Sequence, residues 1–293
     1  YPLKRYLVSG GIDEALDLIS RWTPIAVHQY PTGLNCLDWI IPEKWRCNEA
    51  CVKTTDDEVV FSSKTEPFHV MPYSLPFEGE VDRETLLKHL HVSELIEQAI
   101  PIKQTLLNRD WGLCCSQITK SGLVDDKYKV KIDSGFSSGM MKVGEVVAPG
   151  QSREAIILCA YLDGPGQANE TLSGVLVGLN LMINMLQNMK TRYTYRLLIL
   201  PGPGGFAAWL SQNDELLPGV KGVLNLRCLG SELPYNLQLS NVEDTVFEKV
   251  CQNVMKGKDP DFQMTVADKF FKALPSGKNP IYMNNERNFS FPM

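Results

Sequence analysis

Histidine is scarce in this chain, with four in 293 residues. They stand at His28, His69, His89 and His91, and no pair has a spacing that suits zinc. His89 and His91 are two apart, which on a helix turns their side chains about 200° from one another. Surface or core roles are expected for all four. No run of Lys or Arg marks a basic groove, and the formal net charge of -5 disfavours a nucleic-acid partner. The longest apolar runs fall far short of a membrane span, so no membrane role is expected. No internal repeat, low-complexity tract or secretory signal is visible. The chain begins at Tyr1 rather than Met, so the expectation allows for an N-terminal segment, and any signal in it, that is trimmed or absent.

Cysteine is too sparse for a disulfide scaffold: Cys36, Cys47, Cys51, Cys114, Cys115, Cys159, Cys228 and Cys251. Most lie in apolar strand or helix patterns, where a free thiol packs as a small hydrophobe. A reduced, cytoplasmic protein is expected. Cys47-x3-Cys51 is one residue too long for a CxxC zinc hook, and no second Cys/His pair follows at a useful distance.

What is present is ordinary globular material, 44% apolar and 22% charged, enough for one large domain and a smaller one. Residues 11 to 23 pattern as an amphipathic helix, with Ile12, Leu16, Ile19 and Trp22 on its apolar face. Residues 36 to 80 switch to short segments rich in β-branched and aromatic residues: Asp38–Ile41, Ala50–Lys53, Glu58–Phe61 and Phe68–Met71. Asp82 to His91 pattern as a short helix with Asp82 as its N-cap. From Trp111 an α/β alternation returns. Strands are expected over Lys129–Ile132, Val143–Val147, Ala155–Ala160, Tyr195–Leu200 and Gly222–Cys228. Helices are expected over Ser173–Met189, Gly205–Leu210 and Asp244–Lys256. The organisation expected is 1–35 as the helical start of the main domain, 36–110 as an inserted β-rich domain, and 111–293 as the main α/β domain. No clear strand–helix pair follows Asp268, so the C-terminal part is expected to be short or not included.

In sheets of this kind ligands bind beyond the carboxyl ends of the strands. Two such ends stand out, Cys159-Ala-Tyr-Leu-Asp163 and Leu200-Pro-Gly-Pro-Gly-Gly205. Between them, Ala168-Asn-Glu-Thr-Leu-Ser-Gly174 feeds a helix. With Asp38-Trp39, Pro42 and Trp45, His69-Val-Met-Pro-Tyr-Ser-Leu-Pro76, His89-Leu-His91, Trp111-Gly-Leu-Cys114 and Arg192-Tyr-Thr-Tyr-Arg196, these segments follow one pattern across nearly the whole chain. It resembles the polysaccharide-biosynthesis proteins with an aminopeptidase-like domain, in the zinc-dependent aminopeptidase superfamily. The resemblance implies a zinc-exopeptidase-like mixed sheet flanked by helices, with a small β-rich inserted domain.

The resemblance also implies where metal ligands belong, and there this sequence departs from it. Tyr161 stands in the place of a His, Asp163 in that of an Asp or Cys, and Glu170 in that of a metal-bridging acid. Gly202 replaces a Glu, Asn285 an Asp beside Glu286 and Arg287, and Gln117 a His. Zinc needs three or four N, S or O donors at about 2.0–2.3 Å. Glycine offers none, and a phenol of pKa about 10 is a poor imidazole substitute. Zinc, expected in the family, is therefore not expected here as a cofactor.

Bland readings stand beside the sharp ones. Tyr161 either hydrogen-bonds a ligand or fills the old pocket. Asp163 either orients an amine or caps the following turn. Glu170 serves either the pocket or a helix start. Gly202-Pro-Gly-Gly205 either cradles an anion or makes a tight turn. Cys159 is expected to be a buried thiol. The leading expectation is a pseudopeptidase whose former cleft, lined by Tyr161, Asp163, Glu170, Gly202, Asn285 and Arg287, binds a peptide, an amino-acid-like small molecule or a protein partner. One alternative is a rewired, metal-independent hydrolase or acyltransferase using Asp163, Glu170 and Glu286. Another is a subunit of a biosynthetic complex, and a homo-oligomer is compatible with each.

Overall fold

The computed structural model describes residues 3–37, 39–232, 234–239, 245–258 and 261–266. The chain opens on an irregular segment that leads into helix α1 (Gly10–Ser20), whose Ile12, Ala15 and Leu16 are buried on one face. The expected helix to residue 23 is cut short. Trp22 lies past the end, before Pro24, and is 70% exposed instead of buried. Proline disfavours helical geometry in the residue before it, which is why the helix stops here.

Strand β1 (Ala26–Pro31) follows, then β2 (Lys44–Lys53), β3 (Val59–Ser62) and β4 (Phe77–Asp82). The segment Phe68–Met71, expected to be a strand, is instead a short 3-10 turn over Pro67–His69, and Glu66 accepts the Phe68 N–H. Pro67 favours the first position of such a turn. Helix α2 (Arg83–His89) is capped by Asp82, which accepts the Thr85 N–H at 2.7 Å. The longer elements that follow are β5 (Lys127–Ser137), β6 (Met140–Ala148), β7 (Ala155–Tyr161), α3 (Ser173–Asn188), β8 (Thr194–Leu200), α4 (Gly202–Ser211), β9 (Val220–Leu226) and α5 (Val246–Lys258). Asp38 and Asp244, expected at element starts, lie outside the described residues.

The main sheet has the order β1-β6-β8-β7-β9. Its β8, β7 and β9 are parallel, while β6 runs antiparallel to both of its neighbours, β1 and β8. The parallel strands are near-continuous apolar sequence because both of their faces are covered. On one face α1 and α3 bury Leu16, Leu179 and Met182 against Leu158, Leu197 and Ile199. On the other lies α4, buried along eight of its residues, as expected for a helix apolar all round. A second, antiparallel sheet, β3-β2-β5-β4, shares that side's core. Residues 36 to 110 supply three of its strands; β5 comes from beyond them and runs within three residues into β6 of the main sheet.

Histidine and cysteine settle into this frame. His69 is buried, its Nδ1 2.8 Å from the Cys114 carbonyl, and its ring stacks on Phe61. His89 stacks on Trp111 at 3.8 Å. Cys36, Cys47, Cys51, Cys114, Cys115 and Cys159 are buried free thiols, whereas Cys228 is exposed.

His28 joins a network across three strands. Glu145 on β6, 5% exposed, meets His28 Nε2 at 2.7 Å and accepts from Arg196 Nη1 at 2.6 Å and Trp209 Nε1 at 3.5 Å. Burial pushes the Glu145 carboxyl up, but the bonds from His28 and Arg196 outweigh it and hold it below its ordinary value of 4.5. Its contribution to stability is therefore present above that value and lost as pH falls through the depressed native one. Glu145→Gln is expected to destabilise the fold by about 1–3 kcal/mol near neutrality. In urea melts the gap from wild type should close progressively below pH 4.5.

Candidate functional site

Strands β7, β8 and β9 point their carboxyl ends the same way, and three chain exits meet there. They are Tyr161 to Asp163, Pro201-Gly202, and Leu226-Arg227. The register pairs Tyr161 with Leu200 and Ala160 with Leu226. Arg227, one residue past the end of β9, thereby falls beside Tyr161.

Tyr161 is half-buried against the core, and its Oη accepts a hydrogen bond from Asn225 Nδ2 at 3.2 Å. The Arg227 guanidinium lies over its ring, 5.2 Å from the centroid. Arg227 Nη2 also donates to Glu170 Oε1. Burial works against the Arg227 charge, but Tyr161 and Glu170 outweigh it and hold the guanidinium firmly protonated.

Glu170 sits in a π-helical turn, Ala168–Leu172, that runs straight into α3. The surrounding motif clamps the exit of β9. Ser173 Oγ accepts the Leu229 N–H at 2.9 Å, and Asn169 Oδ1 accepts the Gly230 N–H at 2.7 Å. Gly174 is obligatory because the Leu226 carbonyl oxygen lies 2.0 Å from where a Cβ would be. Cys228 turns the chain with a φ of 54°. Asn169, Glu170, Ser173 and Gly174 thus each hold one point of the Leu226-to-Gly230 segment that carries Arg227.

Asp163 faces the start of α4. Burial pushes its carboxyl up to about 6, against the pull of its own N–H, the Gly202 N–H and the Arg227 charge, while Glu170 adds to the rise. Gly202 is the first residue of α4, so the helix begins here and not at Gly205. Its φ is +70°, and a Cβ on it would sit 2.9 Å from Leu7 Cδ2 and 3.5 Å from Asp163 Oδ2. The expected tight turn is thus a helix start of left-handed geometry, which favours glycine.

The loop carrying Asp163 is held by Arg5, 1% exposed. Arg5 Nε donates to the Leu162 carbonyl at 2.7 Å, and Nη2 to those of Gly164 at 2.7 Å and Gln167 at 3.1 Å. The Gly164 N–H returns to the Arg5 carbonyl at 2.8 Å. Cys159, one turn of the pleat behind Tyr161, is buried with its thiol pushed well up by burial alone, which makes it a packing residue.

The structure therefore brings together Tyr161, Asp163, Glu170 and Gly202. Asn285, Glu286 and Arg287 lie outside the described residues. Arg227, Asn225 and Arg5 are members of the site that the sequence reading did not single out. Beside the site lies a cleft of about 420 Å³ walled by Trp39, Tyr73 and Phe136, with the Arg109–Glu43 ion pair at its lining. Trp39 packs on Gly204 of α4, and the Tyr73 hydroxyl is close enough to feel the Asp163 charge.

A family model described as a domain of unknown function, DUF4910, matches residues 1–273. The chain belongs to the DUF4910 family. A Clostridium acetobutylicum protein named for polysaccharide biosynthesis, with an aminopeptidase-like domain, is 30% identical over 292 residues, covering 100% of the DUF4910 chain and 64% of its own length. A crystal structure from Clostridium acetobutylicum, described as a peptidase, matches with a TM-score of 0.85 at 28% identity, over 100% of this chain and 66% of that one. The zinc aminopeptidase BSAP of Bacillus subtilis shares the fold, with a TM-score of 0.63 at 11% identity over 96% and 78% of the two chains. This DUF4910 chain has the aminopeptidase-like mixed α/β fold, and it spans just under two thirds of the two Clostridium chains.

Gly174→Ala is expected to cost about 1–3 kcal/mol, because the Leu226 carbonyl has no room to retreat. Glu170→Ala removes an ion pair whose partners are each 41% exposed, and should cost about 1 kcal/mol or less. Thermal denaturation of the two variants measures the contrast.

Proposed function

We propose that this DUF4910 protein is a catalytically degenerate aminopeptidase-like protein. Its former active-site cleft binds a peptide, an amino-acid-like small molecule or a protein partner. The observation that carries the reading is at Gly202. A side chain there would be strained by the left-handed backbone and would have to displace Leu7, so a glutamate fits poorly where the related enzymes carry one. The other donors fit a metal poorly. The Tyr161 phenol is engaged by Asn225, Asp163 faces a helix start, and Glu170 is paired with Arg227. Without a metal there is no Lewis acid for a carbonyl and no acidified water. The neighbouring cleft lined by Trp39 and Tyr73, which includes none of Tyr161, Asp163, Glu170 and Gly202, is of the size small ligands occupy and would extend the binding surface.

The purified protein is expected to carry well below one zinc per chain and to leave aminoacyl p-nitroanilides uncleaved. Stoichiometric zinc together with cleavage of such a substrate would end this reading.

One observation favours a second reading. An enclosed carboxyl raised to about 6, as Asp163 is, suits acid–base work near neutrality. In a rewired hydrolase or acyltransferase, Asp163 would shuttle the proton and Glu170 assist. Any activity found should then fall at least about a hundredfold in Asp163→Asn, and an unchanged rate removes the reading. A subunit role in a biosynthetic complex is a third reading, for which the support is a Clostridium relative named for polysaccharide biosynthesis. Among the described residues no helix is long and apolar enough to cross a membrane. The eight free thiols support a reducing, cytoplasmic setting.

A further inference from the structure

We propose that the Arg227 guanidinium stands in for the metal of the related zinc enzymes, as a fixed organic cation set among the former ligand positions. The inference rests on the degenerate-site reading and gives it a physical cause.

The guanidinium touches or acts on three of those positions at once. It covers the Tyr161 ring, donates to Glu170 Oε1, and exerts its charge on Asp163. The Glu170 charge acts on Asp163, and a cation beside both offsets that repulsion. A divalent ion does so in a metalloenzyme. Here a side chain does, and it needs no loading.

The replacements suit that cation better than a metal. A tyrosine face accepts a guanidinium at about 5–6 Å, while its neutral phenol is a weak metal donor. A glutamate oxygen accepts a guanidinium N–H in the geometry of ordinary Arg–carboxylate pairs. The backbone beneath Arg227 is also fixed. Leu226 lies against Gly174, Leu229 and Gly230 are held by Ser173 and Asn169, and Cys228 sits in the left-handed region. The motif that in the zinc enzymes would carry a bridging acid serves here to anchor the cation's own backbone.

The test is Mn²⁺ titration, followed by calorimetry and by the electron-spin signal of the free ion, on the full chain and four variants. Wild type and Arg227→Lys, which keep a positive charge in the site, should take up no Mn²⁺ in the millimolar range. Arg227→Met should bind Mn²⁺ at least about tenfold more tightly than wild type, about 1.4 kcal/mol. Arg227→Met/Glu170→Gln should lose that gain. Arg227→Gln removes the charge while keeping a polar side chain and is read in the same way, which covers the case in which the Met variant fails to fold. The proposal is overturned if wild type binds Mn²⁺ as tightly as the charge-removed variants. It is overturned equally if those variants fold and gain no affinity. The second result, with a wild type free of zinc and inert, would leave the degenerate-site reading standing.

Discussion

The loop from Leu162 to Gln167 has no regular structure to satisfy its carbonyl groups, yet it is partly buried along its whole length. The Arg5 guanidinium supplies what is missing, with donors to three of those carbonyls from a side chain that is itself almost wholly buried. Buried backbone oxygens without partners are costly, and a buried guanidinium without acceptors is costlier. Each group makes the other tolerable. The same N-terminal segment then ties the molecule together on either side. Lys4 Nζ donates to the Cys47 carbonyl at 2.6 Å, Tyr6 meets Trp45 edge-on at 4.6 Å, and Leu7 fills the space above Gly202. The position of Asp163 and the shape of the site depend on residues 3 to 9 lying where they do.

The residues that meet at the strand ends beside this loop are coupled in pairs. Leu7 and Gly202 are two halves of one packing arrangement, since the leucine needs the glycine's missing Cβ. Tyr161 and Arg227 are another pair, a ring and the cation laid on it. Asp163 belongs to a third, with the first N–H of α4. Each pair ties one strand end to another part of the chain, so substituting either member would break a contact. The chain has the aminopeptidase-like fold, and its strand ends are packed around these side chains.

Much of this was legible before any coordinates. Strands β7 and β8 announce themselves as unbroken apolar runs, and the Asn169-Glu170…Ser173-Gly174 motif marks the turn into α3. Tyr161, Asp163, Glu170 and Gly202 could be placed together because each lies at a strand end or at a helix start. Edge strands were harder. Ala26–Pro31 is largely exposed and ends on proline, and in Phe77–Asp82 the alternation with three acids has a glycine at its middle inward position, so the apolar signal of each is weak. Phe68–Met71 has strand-like residues but a proline and a capping glutamate before it, and local capping won. Arg227 and Arg5 went unremarked for the same reason. A lone arginine beside apolar residues is usually solvated; only the register of β9 against β7 lays Arg227 over Tyr161, and only the path of the N-terminal segment buries Arg5.

One covalent detail reaches beyond the site. Strand β5 of the smaller sheet passes into β6 of the main sheet after only Ser138 and Gly139. The β-rich layer is therefore not an accessory that evolution or an engineer could lift away. Excising residues 36 to 110 would leave Lys127–Ser137 stripped of both neighbours, a long naked edge continuous with a central strand of the main fold. Any lineage that carries this layer inherits it together with the main sheet, and shortening the one without refashioning the other would trade a module for an aggregation seed.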